Sequence, residues 1–228
     1  MLFRSVNTLV RRPQGGWFGT NTDVTGFLAP LRAQAEDWRG RRALVLGTGG
    51  SARAVLAGLL ELGLERISLA GRRPEPLAAL LAAGQGWLDD ISADATVTRV
   101  DGMAWPDPAA GASGASDALM AELAGCDLLV NTTPVGMASP ADPTAAERSP
   151  LTPDQLDRLA ASATVYDLIY TPRPTALLTL ASERGCRCLD GLEMLVQQGA
   201  ASLRLWSGRD EVPIAAMRQA ALTQLTSG

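Results

Sequence analysis

The sequence contains neither lysine nor histidine, because all 20 of its positively charged residues are arginine. Lysine and histidine are the usual partners of a carboxylate in proton transfer at neutral pH. Asp23 is a candidate for such chemistry, since it stands alone among small residues and threonines in GWFGTNTDVTGF, residues 16–27. Whatever Asp23 does, it finds neither usual proton-transfer partner among these 228 residues.

An excess of positive charge and long apolar runs are missing as well. The net charge is −4 and the pI about 4.9, which argues against nucleic acid or an anionic membrane as the main partner. A small anionic ligand bound by a few local arginines stays compatible with this balance. No apolar run reaches membrane-spanning length, and residues 1–10 lack the apolar core of a signal peptide. The sequence therefore predicts a cytoplasmic protein with a small-molecule ligand.

Cysteine is scarce, with three residues in the chain. Cys186 and Cys188 are separated by one residue, which is unfavourable for a mutual disulfide, and three thiols are too few for a structural zinc site. We therefore expect buried free thiols and no metal centre.

The hydrophobic pattern predicts an α/β fold. Two short β-type runs, 6–12 and 17–21, surround a Pro/Gly loop and predict a hairpin, and residues 27–39 resemble a helix with Pro30 near its first turn. From residue 41 onward, apolar strands and helices alternate in the βαβ order of a parallel sheet. The expected strands are 41–47, 65–71, 95–101, 126–133, 163–170 and 186–191. The expected helices are 51–63, 74–84, 154–160, 175–185, 192–208 and 212–225. A surface loop is expected over residues 105–117, which are rich in Pro, Gly, Ala and Ser. This count predicts a Rossmann-like doubly wound parallel sheet of about six strands.

A glycine-rich turn follows the first strand of this pattern. Residues 47–52 read GTGGSA, the G-x-G-x-x-A form of a dinucleotide-binding turn that opens a helix. Gly47 permits the tight turn, Gly49 lets the backbone approach a pyrophosphate, and Ala52 lets helix and strand pack closely. Free N–H groups at the helix start then point at the phosphates. The expected contacts in this turn are Gly47, Thr48, Gly49, Gly50 and Ser51.

The end of the next strand indicates which dinucleotide binds. An NAD site usually carries an acidic residue there, whereas this sequence has Gly71, Arg72 and Arg73. Two guanidinium groups can bind a 2′-phosphate through forked, charge-assisted hydrogen bonds. The sequence therefore favours NADP as the cofactor. The alternative is that both arginines are only a solvated strand end.

Seven segments in order carry a resemblance to one family. They are VNTLV, GTNTD, GTGGSARA, AGRR, NTTPVGM, YDLIYTPRPTALL and DGLEMLVQQ. In this combination and order the chain resembles the shikimate dehydrogenases from about residue 6 to its C-terminus. That family reduces 3-dehydroshikimate to shikimate with NADPH, on the route to chorismate and the aromatic amino acids.

The resemblance implies roles for individual residues. Asp23 resembles the family's substrate-binding, catalytic aspartate, and Asn7, Tyr170 and Gln198 resemble substrate contacts. Gly71 departs from the family's usual asparagine, which removes one side-chain hydrogen bond to the adenosine ribose. The remaining implied cofactor contacts are Asn131, Thr132, Leu168 and Gly191.

Each of these residues also has a structural interpretation. Asn7 could be a hairpin turn residue, Gln198 a solvated helix position, and Tyr170 a half-buried strand aromatic. Asn131 could cap a helix or turn, and Asp23 could be the N-cap of a helix that begins near residue 24.

The resemblance also implies a missing part. Family members carry an N-terminal substrate lobe with paired serines and a catalytic lysine, whereas this sequence reaches the VNT motif within a few residues. We therefore expect a truncated form, with residues 1–22 as a remnant of the substrate domain, 23–189 as the NADP-binding domain and 190–228 as C-terminal helices. Those helices should expose apolar surface that favours self-association, with a homodimer as one outcome.

Three functional interpretations remain open at this point. The chain could belong to an NADP-dependent shikimate dehydrogenase, to an enzyme of the same fold that acts on quinate with NAD, or to a non-catalytic NADP-binding module.

Overall fold

The computed structural model describes residues 6–34, 36–90, 98–105 and 117–226, apart from the side chains of residues 90 and 226. The helices and strands in chain order are β1 (Thr8–Arg11), β2 (Trp17–Thr20), α1 (Asp23–Ala33), β3 (Arg42–Leu46), α2 (Gly50–Glu61), β4 (Arg66–Gly71), α3 (Pro74–Asp90), β5 (Arg99–Ala104), α4 (Asp117–Ala124), β6 (Leu128–Asn131), α5 (Pro153–Leu156), β7 (Thr164–Asp167), α6 (Ala176–Glu183), β8 (Arg187–Leu189), α7 (Gly191–Ser207) and α8 (Ile214–Thr226). A short 3₁₀ helix spans Pro143–Glu147.

The chain divides into two compact units. Unit one comprises Met1–Glu36 and Leu192–Gly228, and unit two comprises Asp37–Gly191. Helix α1 thus belongs to unit one. The domain limits expected from the sequence, after residues 22 and 189, stay a prediction.

Unit two contains the predicted parallel sheet. Its six strands lie in the order β5-β4-β3-β6-β7-β8, and every neighbouring pair is parallel. The chain first winds outward from β3 through β4 to β5, and then continues on the other side of β3 with β6. This order is the one that places a ligand crevice at the carboxyl ends of β3 and β6, where the winding direction reverses. The Rossmann-like fold class is confirmed.

Burial explains why the central strands were recognisable. All of β6 and β7, and β3 from Ala43 onward, are buried, as expected for strands covered by helices on both faces. The core of unit two includes the buried side chains of Leu44, Leu46, Leu129, Leu151, Leu156 and Val165.

Unit one contains the predicted hairpin. Strands β1 and β2 pair antiparallel, with Thr8 opposite Thr20 and Arg11 opposite Trp17. Its turn is closed by the Arg12 N–H, which donates to the Gly16 carbonyl at 3.0 Å.

The predicted start and end of the first helix were wrong. Helix α1 begins at Asp23, four residues before the predicted start, and Thr22 occupies the N-cap position. Asp23 is therefore not the N-cap; instead the side-chain oxygen Oδ1 of Asn21 accepts the Asp23 backbone N–H at 2.7 Å. Pro30 lies in the interior of the helix and is buried, so it is not confined to the first turn. Lacking an amide hydrogen, Pro30 leaves the carbonyl of residue 26 without its usual helical donor.

Other differences concern element lengths. Helix α3 continues six residues beyond the predicted end at residue 84, and α4 was not predicted at all. Strand β5 continues three residues beyond the predicted end at residue 101, and residues 95–97 of the predicted strand lie outside the described part of the chain. The predicted loop over residues 105–117 falls mostly on residues 106–116, which lie outside the described part of the chain, as do residues 1–5.

The three cysteines are free thiols. Cys126 and Cys186 are buried and Cys188 is half-buried, and burial raises the pKa of Cys126 to about 12. The Cys126 thiol is therefore protonated and chemically quiet at neutral pH.

Over the described residues, none of the helices combines the length and the apolar character needed to cross a membrane.

Candidate functional site

The glycine turn after β3 adopts a conformation that a side chain would prevent. Gly47 has a φ of +107°, and a Cβ atom on it would lie 2.6 Å from Oγ1 of Thr132. The Gly47 N–H donates to the Ala70 carbonyl at 2.9 Å, which fixes the turn against β4. Helix α2 then begins at Gly50 with Gly49 as its N-cap residue. Because glycine has no side chain that could cap the helix, the first N–H groups of α2 are available to an anion.

A cavity of about 180 Å³ lies in front of this turn. The turn, the segment after β4 and the segment after β6 together line it, so it occupies the expected crevice at the carboxyl ends of the strands. Six predicted cofactor residues line it, namely Gly47, Thr48, Gly49, Arg72, Arg73 and Thr132. Gly50 and Ser51 lie in the first turn of α2.

Three further residues line the same cavity but were not predicted, namely Trp105, Thr133 and Pro134. Trp105 is 4% exposed and directly follows β5, and its backbone N–H donates to the Gly71 carbonyl at 2.9 Å. In the sequence, Trp105 falls in the predicted loop over residues 105–117, and this wall of the cavity was therefore not expected.

The Asn131 side chain organises the segment after β6. Its carbonyl oxygen accepts the Thr133 N–H at 3.0 Å and the Thr133 hydroxyl at 2.7 Å, and so caps a turn. Its amide donates to Asp167 Oδ1 at 2.9 Å. The structural interpretation of Asn131 as a turn cap is confirmed, while its contact with a cofactor stays a prediction.

Asp167 is the residue that the sequence reasoning missed. It lies at the end of β7 with 0% exposure, opposite Asn131 of β6. Its carboxylate accepts hydrogen bonds from the Asn131 amide, the Ile169 N–H and the Thr175 hydroxyl, the last at 2.7 Å. The Thr175 hydroxyl also accepts the Leu178 N–H at the start of α6. Asp167 thus holds together two strand ends and a helix start; the signal for it was a single acidic residue in the apolar run TVYDLIY.

Burial raises the pKa of Asp167 to about 6 from its ordinary value of 3.8. The three hydrogen bonds to the carboxylate lower the pKa, and the negative charge of Asp190 nearby raises it. Because the folded protein binds this proton more tightly than the unfolded chain does, protonation stabilises the fold. This contribution is complete below about pH 4 and is lost as the pH rises through about 6, and it amounts to about 3 kcal/mol.

The matched variant Asp167→Asn keeps the shape of the side chain and cannot titrate. We expect the free energy of unfolding of the unchanged chain, relative to Asp167→Asn, to fall by up to about 3 kcal/mol between pH 4 and 7. Urea unfolding at several pH values measures it. A difference that does not vary with pH would contradict the assignment.

Leu168 and Gly191, both implied cofactor contacts, lie close together in unit two. The Leu168 N–H donates to the Asn131 carbonyl at 3.1 Å, and the Gly191 N–H donates to the Ile169 carbonyl at 3.1 Å. Tyr170 follows on the same segment and is 40% exposed. These hydrogen bonds anchor the backbone of this segment next to the strand ends that Asp167 joins.

Asn7 and Asp23 are in direct contact within unit one. The Asn7 side-chain amide donates to Asp23 Oδ1 at 2.7 Å, and the Asn7 side-chain oxygen Oδ1 accepts the Thr22 N–H at 2.9 Å. Asn7 is thus fixed by the residue before Asp23 and in turn orients the Asp23 carboxylate.

A row of hydroxyl groups continues from this pair to α7. The Thr22 hydroxyl is 3.1 Å from the Ser202 hydroxyl and donates to the Gln198 side-chain oxygen at 3.4 Å, and Ser202 is 2.6 Å from the Thr8 hydroxyl. Unit one therefore brings together three of the four predicted substrate contacts, Asn7, Asp23 and Gln198, whereas Tyr170 belongs to unit two. Thr8, Thr22 and Ser202 were not predicted, because single hydroxyl residues carry no distinguishing pattern.

Exposed apolar side chains are concentrated in unit one. Leu205 and Trp206 of α7 are 42% and 60% exposed, which confirms for these two residues the expectation of apolar surface on the C-terminal helices. The Trp206 indole N–H donates to the Leu9 carbonyl at 2.9 Å, so this end of α7 lies against the hairpin. The hairpin adds Val6, Leu9, Trp17 and Phe18 to the exposed apolar side chains.

Comparison with known proteins gives a consistent set of relatives. Residues 191–222 match the family described as Shikimate 5′-dehydrogenase C-terminal domain. Two curated relatives are named shikimate dehydrogenase (NADP(+)). The one from Synechococcus sp. (strain JA-3-3Ab) is 46% identical over 97% of this chain and 66% of its own length. The one from Synechocystis sp. is 45% identical over 97% of this chain and 68% of its own length.

A solved structure agrees with these relatives. The shikimate 5-dehydrogenase of Listeria monocytogenes, in complex with shikimate and NAD, has a TM-score of 0.77 and 25% identity, covering 95% of this chain and 68% of its own. The chain thus spans about two thirds of the length of the proteins that it matches. At this identity and coverage, the chain belongs to the shikimate dehydrogenase (NADP(+)) family.

Proposed function

We propose that this chain provides the NADP-binding part, and some of the substrate contacts, of an enzyme that reversibly reduces 3-dehydroshikimate to shikimate with NADPH. The observation that carries this proposal is the cavity in front of the glycine turn, where an uncapped helix start and two arginines converge. The names of the relatives support the same activity.

The residues of this cavity fit a dinucleotide with a 2′-phosphate. The start of α2 offers backbone N–H groups to a pyrophosphate, and the absence of a side chain on Gly49 leaves the approach open. Arg72 and Arg73 follow β4, where the adenosine ribose is read in this fold, and both side chains are exposed. Arginine recognises phosphate through paired N–H donors, so this pair favours NADP over NAD.

Asn7 and Asp23 present hydrogen-bonding groups suited to a polyhydroxylated ring. The Asp23 carboxylate binds the Asn7 amide through Oδ1, and its other oxygen can accept a hydrogen bond from a substrate hydroxyl. When bound, the nicotinamide of the cofactor would supply the hydride. With neither lysine nor histidine in the 228 residues, Asp23 is the acidic group among the predicted substrate contacts in unit one.

Turnover by the purified 228-residue chain tests the proposal. The chain is first shown to be folded, NADP⁺ and NAD⁺ binding are measured by calorimetry, and NADPH formation is followed with shikimate and with quinate. We expect tighter binding of NADP⁺ than of NAD⁺. Turnover of shikimate would show that a lysine is dispensable; binding without turnover would support an NADP-binding part that needs further residues for chemistry. A folded chain that binds neither dinucleotide would contradict the proposal.

Replacement of both Arg72 and Arg73 with alanine should weaken NADP⁺ binding by about 10- to 100-fold. Both side chains are exposed, so we expect their charge-assisted hydrogen bonds to the 2′-phosphate to contribute about 1.5–3 kcal/mol in total. NAD⁺ carries no such phosphate, so its affinity should change less than about threefold. Arg158→Ala is the matched control, because Arg158 is exposed in the same unit and does not line the cavity. Equal losses for both dinucleotides would assign the arginines to general binding instead.

Two finer features belong to the same proposal. The exposed apolar side chains of the hairpin and α7 support self-association, with a homodimer as the expected form. Sedimentation of the chain with and without Trp206→Ser measures this self-association.

A cytoplasmic location is proposed from the function of the family.

A further inference from the structure

Gly71 ends β4 at the position where this fold usually presents a side chain to the adenosine ribose. The residue is buried, and its backbone is fixed. Its carbonyl accepts the Trp105 N–H at 2.9 Å, and the carbonyl of Ala70 accepts the Gly47 N–H at 2.9 Å. The backbone at residue 71 therefore cannot withdraw without breaking contacts to β5 and to the glycine turn.

A side chain at residue 71 would meet Thr48. A Cβ atom on Gly71 would lie 2.7 Å from the Thr48 methyl carbon Cγ2 and 3.3 Å from Leu77 Cβ, whereas carbon atoms in contact are separated by about 3.5–4.0 Å. Leu77 Cβ is attached directly to the backbone of α3 and cannot move independently. Thr48 is β-branched and has few rotamers, so its methyl group is the main obstacle.

Thr48 also lines the cavity that contains Arg72 and Arg73. We propose that Thr48 determines cofactor selectivity, because its methyl group excludes a ribose-reading side chain at residue 71 and leaves recognition of the 2′-position to the two arginines. This inference rests on the proposed binding of NADP. It follows that removal of the Thr48 methyl group opens space for an aspartate at residue 71, whose carboxylate would accept the ribose hydroxyls and repel a 2′-phosphate.

A pair of double variants isolates the methyl group. Thr48→Ser removes Cγ2 and keeps the hydroxyl, whereas Thr48→Val keeps the branched shape and removes the hydroxyl. Each is combined with Gly71→Asp. The melting temperature of every variant is measured by circular dichroism, and the affinities for NADP⁺ and NAD⁺ are measured by calorimetry on the full chain.

We expect Gly71→Asp alone to lower the melting temperature by about 5 °C and to weaken binding of both dinucleotides, because the new side chain is overpacked. Thr48→Ser with Gly71→Asp should recover most of this loss and should bind NAD⁺ at least about tenfold more tightly than NADP⁺. Thr48→Val with Gly71→Asp should resemble the single Gly71→Asp variant.

Equal behaviour of the serine and valine backgrounds would overturn the inference, and so would a Gly71→Asp variant that is as stable as the unchanged chain and already prefers NAD⁺. In either case, NADP⁺ binding by the unchanged chain would still support the proposed function, because that function does not depend on Thr48. If the folded, unchanged chain binds neither dinucleotide, the proposed function fails and the selectivity role fails with it. The melting temperatures of the two backgrounds still decide whether the methyl group blocks residue 71.

Discussion

Asp167→Ala is expected to lower the free energy of unfolding by about 3 kcal/mol. The substitution leaves the Ile169 N–H and the Thr175 hydroxyl without their acceptor and deprives the Asn131 amide of its shortest hydrogen bond. A buried donor that loses its partner costs about 1–3 kcal/mol, and the relief of burying a carboxylate offsets part of the total. The loss should be larger at pH 5 than at pH 7.5, since protonation of Asp167 stabilises the unchanged fold at the lower pH.

Urea unfolding of the variant at both pH values measures this effect. The melting temperature should fall by about 6–12 °C. Asp154→Ala is the matched control, because Asp154 is an exposed aspartate of the same unit, and its replacement should change stability by less than about 1 kcal/mol. If Asp167→Ala is as stable as the control variant, Asp167 does not hold the strand ends together.

The second large effect is expected on catalysis. Asp23→Asn should slow shikimate turnover by about 10²- to 10⁴-fold, the range typical of a lost acid–base group, and should change NADP⁺ affinity by less than about twofold. The asparagine can still accept the hydrogen bond from the Asn7 amide, so the local geometry is kept and the charge is removed. Asp23 does not line the cavity in front of the glycine turn, which is why cofactor binding should be spared.

The measurement compares steady-state turnover with calorimetric affinities for NADP⁺ and for shikimate. In a preparation that binds both ligands without turnover, the shikimate affinity becomes the readout and should fall by at least about tenfold. Asn21→Ala is the control, because it removes the side chain that accepts the Asp23 N-H and should cost about 1 kcal/mol of stability without removing the carboxylate. Equal loss of turnover and of NADP⁺ affinity would indicate a purely structural Asp23.

The sequence was most informative where a local pattern has one structural solution. The apolar runs of β3 and β4, separated by a glycine turn and a helix, allow little besides a parallel βαβ unit. The residues of the turn and the two arginines after β4 could be assigned to one crevice, because strand ends in such a sheet face the same edge. The hairpin was predicted for the same reason, from two β-type runs around a short loop.

Element ends were less predictable because tertiary contacts decide them. Helix α1 begins four residues before the predicted start, at Asp23, whose N–H is bound by the Asn21 side chain, and the interior position of Pro30 contradicts its intrinsic preference. Strand β5 has a half-exposed pattern that gives little periodic signal, and its predicted end was therefore misplaced by three residues.

By itself, the sequence determined the α/β class, the glycine turn, the arginine pair and the family resemblance, because each rests on residues close together along the chain. Only the tertiary structure decided which distant side chains meet. It buried Asp167 against Asn131 and Thr175, set the Thr48 methyl group against Gly71, and joined Asn7 to Asp23 across the hairpin. Hydrogen bonding and steric exclusion act over a few ångströms in space, so residues that are far apart in the sequence reveal these effects only once the chain is folded.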